Sequence, residues 1–153
     1  MQDYLAGNAM PIRFIKARDT WPLRHLVLRP GQPLDSCDFP NDRGEGAFHL
    51  AVVKDDVIVC IGSFYKEVHP DLKGWKQYRL RGMATHPDHR GRGHGTELLL
   101  FAIDHLRAQK ADLLWCNARD NALPFYQGLG FTAHGGVFDI PGIGPHHLLT
   151  LKL

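Results

Sequence analysis

The chain has 153 residues and a formal charge of +2, with 44% hydrophobic and 22% charged residues; these are globular values that exclude a disordered or fibrous chain and argue against nucleic acid as a partner. Its His residues are scattered and Cys37, Cys60 and Cys116 stand far apart, so neither a metal site nor a disulfide framework is expected. No apolar run approaches the roughly 18 residues of a membrane span, and no basic-then-apolar leader opens the sequence; the expectation is a cytoplasmic protein with a loose tail at 1–10 and one domain at 11–153.

Ile12–Ala17 alternates apolar with basic residues and predicts a half-buried strand. Thr20 is placed to cap a helix with Pro22 in its first turn, Leu23, Leu26 and Val27 on its apolar face, and Pro30-Gly31 at its end. The polar stretch from Gly31 to Gly46 carries turn residues and little periodicity, which marks it as a candidate substrate lip. Phe48–Val53 and Val57–Tyr65 read as strands joined by a hairpin turn at Lys54-Asp55-Asp56, and Lys76–Thr85 as a third. In Thr96–Gln109, the residues Leu98, Leu99, Ala102, Ile103 and Leu106 form the apolar stripe of a helix. Leu113–Cys116 is a short buried strand and Asn121–Gly128 a short helix. Phe131–Phe138 and His147–Leu153 then make a closing pair of strands around IPGIGP. Strands and helices mixed in this order predict an α/β or α+β sandwich on one sheet.

The strongest local feature is Arg90-Gly91-Arg92-Gly93-His94-Gly95-Thr96, between a strand and a helix. Three glycines over five positions leave main-chain N–H groups uncovered. At a helix start those donors are free and the dipole is positive, which suits a phosphate or pyrophosphate. The spacing is not GxxxxGK[ST], so a nucleoside-triphosphate loop of that type is excluded. A dinucleotide fingerprint also fails: its third glycine position from Gly91 is Thr96, and too little chain follows for more βαβ units.

The segment YRLRGMATHPDHRGRGHGTELL resembles the acetyl-CoA motif of the GNAT acetyltransferase superfamily, Arg/Gln-x-x-Gly-x-Gly/Ala, which Arg90, Gly93 and Gly95 match. A second segment, NARDNALPFYQGLGF, is similar to that family's C-terminal signature, matched by Ala122, Phe125, Tyr126, Leu129, Gly130 and Phe131. The resemblance implies a single mixed, mostly antiparallel sheet with helices on both faces. It implies acetyl-CoA as cosubstrate, held by main-chain groups of Met83, Ala84 and Thr85 along the pantetheine arm and by the amides of Arg90–Thr96 at the pyrophosphate. Asn117, Arg119 and Asn121 surround the position of the family's pantetheine-contacting Asn, and any of the three could supply it. Tyr126 resembles the tyrosine that faces the departing sulfur. A phenol near pKa 10 is a poor acid toward a thiolate whose conjugate acid lies near 8.5, so stabilisation by hydrogen bonding is expected before proton transfer.

The resemblance leads to an N-acetyltransferase working by direct attack of a primary amine, of a small molecule or an exposed peptide. The alternative is a catalytically idle acyl-CoA sensor. The cysteines are expected to take no part. Glu67, His69, His86 and His89 are candidate bases without a motif to choose among them. Arg79 and Arg81 share a strand face and would either bind an acidic group of the acceptor or act as salt-bridge partners. A sheet edge left open could pair two copies into a homodimer.

Overall fold

Eight strands form one sheet in the computed structural model, which describes residues 11–153; the tail expected at 1–10 lies outside the described residues. In chain order they are β1 (Ile12–Ile15), β2 (Phe48–Lys54), β3 (Val57–Lys66), β4 (Gln77–Thr85), β5 (Leu113–Arg119), β6 (Thr132–Ala133), β7 (Phe138–Ile140) and β8 (Gly144–Lys152). The sheet runs β1-β2-β3-β4-β5-β8-β6, with β7 pairing β8 beyond that path. Every neighbouring pair is antiparallel except β4–β5, as expected for a mixed, mostly antiparallel sheet.

The centre of the sheet is covered on both faces, which explains why β3 is buried continuously from Val59 to Tyr65 instead of alternating. On one face lies α2 (His94–Ala108), whose stripe Leu98, Leu99, Ala102, Ile103 and Leu106 is buried against Leu50, Phe64, Leu80 and Leu114. Each such leucine contributes roughly 1.5–3 kcal/mol relative to exposure. The short helix α3 (Leu123–Gly128) joins the same core through Tyr126. The opposite face is covered by a continuous helical segment: a 3-10 turn Ala17–Thr20, α1 (Trp21–Leu23) and a π turn Arg24–Leu28. From it Leu23 packs on Ala51, Ile61 and Ala84. The β2–β3 turn has Asp55 and Asp56 at φ 49° and 63°, the left-handed pair that a tight hairpin requires and that Asp tolerates.

The structure corrects the expected elements in four places. Thr20 does not cap the helix; its hydroxyl donates back to the Ala17 carbonyl at 2.6 Å, inside a helical segment that starts earlier. The stretch Gly31–Gly46 is not a free lip: it holds a 3-10 turn at Leu34–Cys37, and Cys37, Phe39 and Asp42 are buried in it. β5 continues three residues past Cys116, because Asn117, Ala118 and Arg119 stay paired with Leu148, His147 and His146 of β8. The closing strands are broken. β6 is two residues long, His134–Val137 is irregular, and the terminal hairpin is β7–β8 around Pro141-Gly142-Ile143.

Candidate active site

The site originates in a strand pair that parts. β4 and β5 share ladder positions only from Gln77 to Arg79, paired with Leu113 to Trp115. Beyond them the strands diverge, leaving β4 without a strand partner on that side from Leu80 to Thr85. A cavity of about 910 Å³ fills the gap. On its other side β4 carries a bulge: Ser63 faces Arg81 and Ile61 faces Ala84, so three steps on β4 match two on β3. The bulge bends the strand and re-aims its side chains. It needs a glycine at Gly82, where φ is +67° and a Cβ would lie 3.4 Å from the Phe39 ring and 3.5 Å from Arg24 Nε.

The cavity runs to the start of α2. There Gly91 and Gly93 take φ of +76° and +81°, and a Cβ on either would meet nothing within 4 Å. Gly93 is the N-cap of a 15-residue helix and offers no side-chain cap to the first N–H groups, so those donors stay available. An anion of pyrophosphate size therefore fits this turn: its backbone is reachable and the helix dipole favours it by about 0.3–1 kcal/mol. Gly95 differs from the expectation of an open approach. A Cβ there would sit 3.2 Å from Phe125 Cζ and 3.6 Å from Met83 Cε, so Gly95 lets α3 and β4 close on the helix. Arg90, His94 and Thr96 line the cavity with these glycines, whereas Arg92 is not part of its lining. Arg90 Nε donates to the Thr85 carbonyl at 3.4 Å, and His94 Nδ1 lies 3.2 Å from Glu97.

Met83, Ala84 and Thr85 line the unpartnered side of β4, and Tyr126 closes the far wall from α3. The Tyr126 ring packs edge-on against Phe125 and Phe131, at 5.0 and 5.3 Å between centroids. Burial first, then the Cys116 and Cys60 thiols nearby, push its phenol far above the ordinary range, and no hydrogen bond enters the balance. It is an O–H donor at every working pH. Burial likewise pushes the Cys116 thiol up to about 12 and raises Cys60, against a hydrogen bond from Thr85 Oγ1 at 3.3 Å. Neither sulfur is a thiolate near neutrality, and Cys37 is buried away from the cavity.

Asn117, Arg119 and Asn121 all reach the cavity, so the three candidates are neighbours in space as in sequence. Of the proposed bases, Glu67 is held by Arg79 at 3.1 Å, His69 packs edge-on against Trp115, and neither they nor His86 touch the cavity. His89 does, with a buried Nδ1 that has no partner. Sequence reasoning missed His146. It enters from β8, in register with Arg119. Its Nδ1 lies 2.8 Å from the Gly144 carbonyl; a carbonyl only accepts, so that nitrogen carries the proton and Nε2 keeps its lone pair. No local motif announces it, since the β8 register alone brings it to the cavity. Among the described residues no group of three or more His, Cys, Asp or Glu gathers as a metal-ligand set, and no helix is long and apolar enough to cross a membrane.

Comparison with known proteins places these features in company. The Acetyltransferase (GNAT) family model matches residues 16–131. The uncharacterized N-acetyltransferase YitI of Bacillus subtilis is 39% identical over 144 residues, 94% of this chain and 97% of the relative. The ribosomal-protein-S18-alanine N-acetyltransferase of Escherichia coli superposes with a TM-score of 0.72 at 17% identity, over 92% of each chain. The yncA protein of Salmonella typhimurium, whose structure holds its cofactor acetyl-CoA, superposes at 0.67 and 20% identity, again over 92% of each chain. These two likenesses are of fold.

Proposed function

Since the chain belongs to the GNAT acetyltransferase family, we propose that it moves an acetyl group from acetyl-CoA directly to a primary amine of a small molecule or an exposed peptide. One observation carries the reading: a single cavity joins an open glycine turn at a helix start, a strand edge without a partner and the largely buried Tyr126. The amides of Arg90–Thr96 bind the pyrophosphate, with Gly91 and Gly93 giving access and Arg90 adding charge. Main-chain groups of Met83, Ala84 and Thr85 take the pantetheine arm as an added strand. Asn117, on β5 across the gap, offers its amide to the same arm. Bound acetyl-CoA supplies a thioester whose sulfur gains negative charge as its bond to the acetyl carbon breaks.

Tyr126 donates its hydroxyl to that sulfur. With the phenol raised by burial, the group works as a fixed donor more than as an acid. Among the described residues no carboxylate lines the cavity, so removal of the amine proton falls to an imidazole. His146 serves, with Nδ1–H anchored on Gly144 and Nε2 free to accept.

Calorimetric titration with CoA, and thiol release from acetyl-CoA across a panel of amines, test this reading. Binding together with amine-dependent release and a mass-detected N-acetyl product is expected. CoA binding without turnover of any amine would make the protein an acyl-CoA sensor, and no CoA binding would remove the assignment. For His146→Gln turnover of every accepted amine should fall by about a hundredfold or more while CoA affinity is kept.

A further inference from the structure

We propose that the acceptor is a small amine that also carries a carboxylate, and that Arg81 is the residue that reads it; this rests on the acetyl-transfer reading above. Two arginines on the same face of β4 have opposite fates. Arg79 is paired with Glu67 at 3.1 Å and lies 4.9 Å over the Trp115 ring, outside the cavity. Arg81 is half-buried on the cavity wall, with no hydrogen bond or ion pair among the described residues. Its guanidinium lies 5.1 Å from the Phe39 ring.

Around that ring positive charge is in excess. Arg24 lies over Phe39 at 3.9 Å and Arg29 at 5.3 Å. Of the carboxylates of this region, Asp42 is already taken by Arg24 at 2.6 Å and by the hydroxyl of Tyr65, and Glu67 by Arg79. Burial, and then the charges of Arg79 and Arg24, oppose the Arg81 cation, against a pull from Tyr65 and from Glu67, which is itself paired with Arg79; a guanidinium keeps its proton all the same. The fold therefore holds a forked donor at the cavity to which no carboxylate is hydrogen-bonded among the described residues. A carboxylate answers it with two parallel hydrogen bonds.

The rest of the wall agrees. Among the described residues it contains no Asp or Glu, and its arginines are Arg81, Arg90 and Arg119. Arg90 stands at the pyrophosphate turn, whereas Arg81 lies on the face of β4 turned away from α2, near Val27 and Leu28. An acceptor with several positive charges would meet like charge there and no counter-charge to hold it.

The test uses matched pairs with acetyl-CoA: L-alanine, L-phenylalanine, L-glutamate and γ-aminobutyrate, each against its carboxamide, with spermidine as the polycation. The acids should exceed their amides in kcat/KM by about tenfold or more, the scale of one charge-assisted contact, and spermidine should be inert. Arg81→Gln should abolish that preference while leaving CoA affinity unchanged. Arg79→Gln, which removes the same charge outside the cavity, should keep it. Amides or spermidine acetylated as well as the acids, or an acid preference that survives Arg81→Gln, would overturn the assignment. If no amine of the panel turns over, CoA-loaded protein is titrated with the N-acetylated acids. Binding lost in Arg81→Gln supports the proposal, and no binding overturns it. CoA titration of the parent chain keeps the two questions apart: a chain that binds CoA but ignores the carboxylate refutes the acceptor class alone.

Discussion

The turn Arg90–Thr96 and the cluster around Arg24 are both polar, both contain arginine and both adjoin β4, yet their donors are used in opposite ways. In the turn, Gly91 and Gly93 leave the main chain uncovered at the start of a helix. In the cluster, Arg24 is fully buried and nearly consumed. Its Nη1 donates to the Cys37 carbonyl and to Asp42 at 2.8 and 2.6 Å, and its Nη2 to Asp42, Ser63 and Tyr65 at 3.1, 2.8 and 3.3 Å; only Nε lacks a partner. His49 extends the network to Ser63 and to the Asp42 carbonyl. Closed polarity of this kind ties the Ala17–Gly46 segment to the sheet, and open polarity waits for a ligand. Arg81 belongs in space with the cluster and in chemistry with the turn.

Breaking the closed cluster should give the largest effect. Arg24→Met leaves Asp42 buried without its counter-charge, and stability should fall by about 3–5 kcal/mol, read as a lower urea midpoint. Arg24→Met combined with Asp42→Leu should recover part of the loss, because both buried charges are then gone. Equal losses in the single and double variants would mean that the pair holds nothing. Next in size is the donor on the open side. Tyr126→Phe keeps the ring packed between Phe125 and Phe131 but removes the hydroxyl, which should cost on the order of 2.7–4 kcal/mol in barrier, a hundred- to a thousandfold in kcat, with CoA affinity kept. An unchanged kcat, with chemistry shown to limit the rate, would make Tyr126 a packing residue.

The two regions also differ in how far the sequence discloses them. The turn is contiguous: glycines, a helix stripe and the strand before it stand within some 30 residues, so their spacing alone locates an anion site. The cluster is assembled from Arg24, Asp42, His49, Ser63 and Tyr65, which come from a helix, a loop and two strands, and each alone reads as an ordinary polar residue. Arg24 in particular occupies a position that helical periodicity leaves to solvent. The different fates of Arg79 and Arg81 were equally hidden, since shared strand parity cannot say which of two arginines meets Glu67. β5 was read too short for a related reason: Asn117 and Arg119 look like loop residues because the strand face that carries them borders a cavity.

Two glycines of the turn sharpen the contrast at smaller scale. Gly93→Ala puts a side chain at φ +81° with open space around it, so it should cost about 1–2 kcal/mol of stability from the left-handed backbone and weaken CoA binding. Gly95→Ala has no such strain, but its methyl meets Phe125 at 3.2 Å. Its effect should pass through α3 to Tyr126 and lower turnover more than affinity. Calorimetry and rates on the pair decide the matter; identical behaviour would mean that all the glycines serve one role.

The smallest expected effect is a pH response in which the closed cluster takes the larger share. His49 is buried, its Nε2 lies 2.8 Å from the Asp42 carbonyl and its Nδ1 2.7 Å from Ser63 Oγ. The carbonyl can only accept, so Nε2 carries the proton, and Nδ1 accepts from the Ser63 hydroxyl, which itself accepts from Arg24. A second proton on the ring would set Nδ1–H against that hydroxyl. Burial lowers the His49 pKa and the Arg24 charge adds to this, against the pull of Asp42 in the other direction. The folded ring thus binds a proton less readily than the unfolded one, so the unfolded chain takes up more protons and stability rises with pH across the window. The contribution is complete above the ordinary imidazole value near 6.5 and is lost as pH falls below it toward the folded value. His105, lodged between Phe14 and Phe48 at 5.0 and 4.8 Å, is lowered by burial and acts with the same sign. Urea midpoints between pH 7.5 and 5 should therefore decline in the parent chain, decline less in His49→Gln, and flatten further when His105→Phe is added. A slope untouched by His49→Gln would mean that the imidazole is not held neutral by the cluster, and that the network is less closed than its hydrogen bonds indicate.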